Sequence, residues 1–147
     1  MNSRPSDRTS PISPRFCSYV RSCDNGELLA ARSIIDFYGG DGSFDTFSAR
    51  TRDYIVATTP TNVVDWLSAW CFDVPPPAYA GITAPSLLVR GERSHPAVQR
   101  VSEVLGHALA KSSLVTVPGA SHFMIATHAS DVARLIRKHV VTVETPH

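Results

Sequence analysis

Two short apolar runs with a helical stretch between them constrain this chain most. Pro85-Ser86-Leu87-Leu88-Val89-Arg90-Gly91 is apolar at its centre and bounded by turn residues, the pattern of a buried strand. Ser113-Leu114-Val115-Thr116-Val117 is a second such run, closed by Pro118-Gly119. Between them Val101, Val104, Leu105, Ala108 and Leu109 recur at helical spacing, which lays one apolar stripe along a helix. Pro96 suits the first turn of that helix, with Ser94 as its expected cap. A last helix is predicted from near Ser130-Asp131, with Val132, Leu135, Ile136 and Val140 on one face. Parallel strands need a crossover, and a crossover helix is what this order supplies. The fold class read from this pattern is α/β: a β-α-β-α unit with two parallel strands and a right-handed connection.

Upstream the pattern is helical. Leu28, Ala31, Ile34, Ile35 and Tyr38 predict a helix over 26–38, stopped by Gly39-Gly40. A second helix is expected after Asp41-Gly42-Ser43, burying Phe44, Phe47 and Tyr54. Thr61 is placed to cap a third, with Val63, Val64, Leu67 and Trp70 inward. Pro75-Pro76-Pro77 ends this stretch as a stiff break. Residues 1–15 are rich in Ser, Pro and Arg and are expected to form a disordered leader. The organisation is therefore a leader over 1–15, a helical segment over 16–80, the β-α-β-α unit over 81–141 and a tail over 142–147.

Composition narrows the partners. With 147 residues and 43% hydrophobic content, the chain can bury a core. A formal net charge of +1 argues against nucleic acid or an anionic membrane as the main partner. The apolar runs are too short to span a bilayer. The first residues carry no apolar stretch of a secretory signal. Cys17, Cys23 and Cys71 are widely spaced, so neither a zinc site nor a disulfide framework is expected. A cytoplasmic protein with reduced thiols and no bound metal follows from these readings.

The sharpest chemical feature is Pro118-Gly119-Ala120-Ser121-His122-Phe123, directly after the second strand. Open α/β sheets place their ligands at the C-terminal ends of strands, and a glycine there permits a turn that lifts an imidazole clear. His95 and His128 flank the same expected cleft, and His107 is expected on a helix surface. Gly39-Gly40-Asp41-Gly42 follows a helix rather than a strand, so it is no phosphate loop.

The whole series resembles the C-terminal part of an α/β-hydrolase. The residues that carry the resemblance are Ile82-Thr83-Ala84-Pro85-Ser86-Leu87-Leu88-Val89-Arg90-Gly91-Glu92, then the helix, then Leu114-Val115-Thr116-Val117-Pro118-Gly119-Ala120-Ser121-His122-Phe123. Thr127-His128-Ala129-Ser130-Asp131-Val132-Ala133 looks like the helix opening after the family's histidine, and Ala31-Arg32-Ser33-Ile34-Ile35-Asp36-Phe37-Tyr38-Gly39-Gly40 is similar to a cap-region helix. The resemblance implies a partial α/β-hydrolase fold, with a helical cap-like segment over 16–80 and the last two strands of the core. It implies an ester-like or other acyl substrate, no cofactor, and His122 as general base. It further implies that Trp66, Trp70 and Phe123 line a pocket for an apolar group.

Two of the family's parts are not in this sequence. No G-x-S-x-G elbow is present to supply a nucleophile. Ser121 adjoins His122 directly, which is poor geometry for proton transfer. The slot where members often carry an aspartate holds Ser94, and Glu92 is the candidate acid in its place. The expectation is an enzyme portion that is inactive alone: a truncated or mis-started product, or one half of a split pair. Self-association or a missing N-terminal half would then be its partner. The alternatives are a non-catalytic binding or interaction module derived from the hydrolase fold, and a complete small α/β domain of unrelated function.

Overall fold

The computed structural model describes residues 27–70 and 74–145. The expected leader, Cys17, Cys23 and Cys71 lie outside them. Helix α1 spans Glu27–Gly39, followed by a 3-10 turn at Ser43–Thr46 and helix α2 at Ala49–Trp70. A second 3-10 turn at Pro76–Gly81 leads to strand β1, Ser86–Gly91. Helix α3, Pro96–Ala108, connects to strand β2, Ser112–Val117, and a short α4, Met124–Thr127, precedes α5, Ala129–Glu144. The chain is mostly helical around a two-stranded parallel sheet, with Ser86 paired to Ser112 and Gly91 to Val117. Among the described residues no helix is long and apolar enough to cross a membrane.

Helices α3 and α5 cover the sheet from opposite sides. Leu88 reaches Gly106 of α3, whereas Val89 packs with Val132 and Leu135 of α5 around Val117, Ala120 and Met124. Adjacent strand residues point to opposite faces, so one helix lies on each. Arg90 fastens three elements together: its guanidinium donates to Thr116 on β2 and to the Gln99 carbonyl and the Glu103 carboxylate on α3. That pairing, first through its hydrogen bond, holds the Glu103 carboxyl below its usual range.

Several expectations are corrected. The second and third upstream helices are one, because α2 runs on through Pro60 and Thr61. Proline removes a helical N–H and crowds the preceding turn. Here the hydroxyls of Thr58 and Thr59 donate back to the carbonyls of Tyr54 and Ile55 beside that gap. Tyr54 is 70% exposed rather than buried, and Val64 is exposed. The side chains of Leu67 and Trp70 are outside the described ones. The β1 run is half-buried along Ser86 to Arg90, not fully buried, since a two-stranded sheet leaves its other edge open. On α5, Val132 and Leu135 face the core, but Ile136 and Val140 are exposed. The helix continues to Glu144, into the segment read as a tail. On α3, Val101 is exposed. Its cap is His95, whose Nδ1 accepts from the Ala97 N–H, and not Ser94. The tight turn closed by Ser94 N–H to Gly91 C=O swings Ser94 inward, where it is 3% exposed.

Candidate functional site

The segment that leaves β2 is bound back onto the end of β1. Glu92 N–H donates to the Val117 carbonyl and Arg93 N–H to the Ala120 carbonyl. Gly119, at φ 68°, makes the turn, and its N–H donates to the Glu92 carboxylate at 2.7 Å. The approach is so close that a Cβ on Gly91 would strike the carbonyl oxygens of Ala120 and Ser121. The backbone between β2 and α4 is thereby fixed, and with it the Cα of His122.

Helix α1 supplies the other wall. His122 N–H donates to the Tyr38 carbonyl, and the two rings stack with centroids 4.6 Å apart. Gly39 lies against Phe123, whose ring meets Phe47 edge-on at 6.3 Å. Phe37 packs on His95 at 4.1 Å, so the end of α1 touches both loops at the C-terminal edge of the sheet. His122 as a residue is exposed, yet the Tyr38 face of its ring is covered. This local desolvation lowers its pKa from the ordinary histidine value. Burial likewise raises the Tyr38 phenol, which stays neutral.

The sequence-predicted residues fall as follows. His122 is at the strand end, and its ring nitrogens make no hydrogen bond to the described residues. Glu92 directly follows β1, and its carboxylate accepts from the Gly119 backbone amide. Ser94 is buried, and its hydroxyl has no partner among the described residues. Ser121 Oγ accepts from Phe123 N–H. Phe123 borders His122, with ring centroids 6.3 Å apart. The side chains of Trp66 and Trp70 lie outside the described ones. His107 is exposed on α3 and bonds the Glu103 carbonyl through Nδ1. A cleft of about 330 Å³ opens beside Ser121, between Gly40, Arg93, Gly119, Thr127 and His128. Tyr38, Arg93 and Gly40 were not singled out by the sequence as site residues. Tyr38 reads there as one more apolar helix position, and no local pattern signals a contact so distant along the chain.

Neither a comparison with protein families nor one with curated proteins finds a match to this sequence. Among solved structures, the crystal structure of bromoperoxidase from Bacillus anthracis is similar, with a TM-score of 0.68 and 16% identity. The likeness is one of fold: a partial α/β-hydrolase fold. It takes in 93% of this chain and 52% of the bromoperoxidase, so the chain spans about half the length of that structure.

Proposed function

We propose that this chain is the C-terminal portion of an α/β-hydrolase acting on an ester-like or other acyl substrate, with His122 as its general base. The observation that carries the reading is the His122 imidazole itself. It stands at the C-terminal end of a parallel strand, partial burial depresses its pKa, and its nitrogens are free of partners among the described residues. A neutral imidazole takes a proton from a serine hydroxyl and later returns it to the leaving group. That serine belongs to the portion of the fold that this sequence lacks. Phe123 is the described apolar side chain offered to the acyl group, and the sequence adds Trp66 and Trp70 as candidates for the same pocket. Glu92 orients the imidazolium only by giving up Gly119. The partner is the N-terminal half of the fold, and the chain is cytoplasmic.

A second reading is favoured by the acid position. Ser94 holds no charge and Glu92 is committed to an amide, which suits a non-catalytic binding module. The chain alone should not hydrolyse p-nitrophenyl acetate faster than its His122→Ala variant, because nucleophile and oxyanion hole supply most of the rate. Burst kinetics that vanish in His122→Ala would show a nucleophile within these residues. The coding sequence upstream then decides between the readings. A strand–G-x-S-x-G–helix segment there, joined in frame, gives His122-dependent ester turnover if the first holds. Ligand binding without turnover supports the second.

A further inference from the structure

The cleft beside Ser121 has a chemistry that proton transfer by His122 does not use. Its lining includes one permanent cation, Arg93, one imidazole, His128, and the hydroxyls of Ser121 and Thr127, with no carboxylate. Arg32, Arg90, Arg100 and Arg134 are paired with Asp45, Glu103, Glu103 and Asp131. The Arg93 side chain makes no hydrogen bond or ion pair to the described residues. The nearest carboxylate in sequence, Glu92, is held by Gly119 N–H and does not line the cleft.

The polar groups around Arg93 have donors to spare. Ser121 Oγ accepts from Phe123 N–H, which leaves its own proton for a ligand. One ring nitrogen of His128 is engaged by the Thr127 hydroxyl at 2.8 Å, which leaves the other. Gly40 and Gly119 adopt φ of 101° and 68°, and a Cβ at either would meet no atom within 4 Å. They are bare wall facing open space, which lets a ligand approach the backbone.

We propose that this cleft binds the carboxylate or phosphate group of a small molecule, with the Arg93 guanidinium as its principal partner and Ser121 and His128 as further donors. A guanidinium presents a planar fork that matches two oxygens of either group. The proposal is independent of whether His122 acts as a base, since it concerns binding and not turnover.

The test is isothermal titration of the full chain with acetate and with inorganic phosphate, each against sodium chloride at equal ionic strength. At least one should bind saturably with Kd on the order of millimolar, as one charged group of a few atoms allows. Saturation by acetate alone assigns a carboxylate, and by phosphate alone a phosphate. Arg93→Gln should weaken that binding at least tenfold, and Arg93→Lys should recover only part, because it keeps the charge and loses the fork. Arg93 is exposed and unpaired, so Arg93→Gln should melt at the wild-type temperature. If that variant is unfolded, His128→Gln should weaken binding in its place. No saturable binding by either anion, an equal response to chloride, or unchanged affinity in both variants overturns the site.

Discussion

His122 rests on Tyr38 with one ring face and offers its edges to solvent, and this sets how acid acts on the fold. Its folded pKa lies below the ordinary value near 6.5, so the unfolded chain binds the proton more readily. Stability therefore rises with pH across that window. It begins to fall as pH drops below about 6.5 and stops falling below the depressed folded value. Thermal melts of the wild type and of His122→Gln between about pH 7.5 and 5 should diverge, with the wild type losing more. Parallel curves would mean that burial does not shift the ring's titration. Gly91 matters for a different reason. Its α-carbon lies against the Ala120 and Ser121 carbonyls, so Gly91→Ala must push apart β1 and the His122 loop. A loss of about 3 kcal/mol is expected in urea unfolding, and an unchanged midpoint would show that the loop yields freely. The position of His122 is legible in Pro118-Gly119 after an apolar run, because strand end and turn are local signals. Tyr38, Arg93 and the inward Ser94 are not legible, because each depends on how separate segments meet.

At the scale of elements, the sequence carried the strands and α1 well and the long helix badly. Both strand runs are where apolar residues lie between turn formers, and Gly39-Gly40 stops α1 as glycine in the left-handed region should. Pro60-Thr61 reads as a stop followed by a cap, yet α2 passes through it. The helix runs on although Pro60 leaves the Val56 carbonyl without its amide, and the fully buried Thr59 beside it anchors the segment. An interior proline leaves room for improvement. Pro60→Ala restores the N–H to the helix ladder and removes the clash with the preceding turn. It should stabilise by about 1–3 kcal/mol, less what the freer unfolded chain takes back. Thermal unfolding reads this directly, and a lower midpoint would show that the proline shapes a contact α2 needs. The faces of α5 were the other misreading: its apolar period is real, but the sheet is narrower than the helix is long.

The whole molecule has the composition of a globular domain, and its described residues bury little apolar surface. The buried apolar side chains among the described residues are small or few: Ala30, Ala31, Phe44, Val117, Ala120 and Met124. Meanwhile Ile136, Val140 and Val143 form an exposed stripe along α5, one or two turns apart on the same side. Strand β1 pairs with β2 on one side and, among the described residues, with no strand on the other. That edge has no strand partner among the described residues, and the charge of Arg90 on β1 is taken up by Glu103 of α3, so it does little to deter another chain. Two strands alone are marginal even when helices cover their faces. In the bromoperoxidase-like arrangement about half of the structure lies outside what this chain matches. The isolated chain should therefore associate with itself. Size-exclusion chromatography with light scattering, run over a concentration series, should show a mass above 16.0 kDa that grows with concentration. Substituting Val140→Lys places a charge in the α5 stripe, and should shift that equilibrium toward monomer if the stripe takes part. If it does not, the β1 edge is the contact, and association should persist in that variant. A wild-type chain that stays monomeric throughout and unfolds in one cooperative step would show that this small core suffices. It would then favour a self-sufficient α/β domain over a portion awaiting its other half.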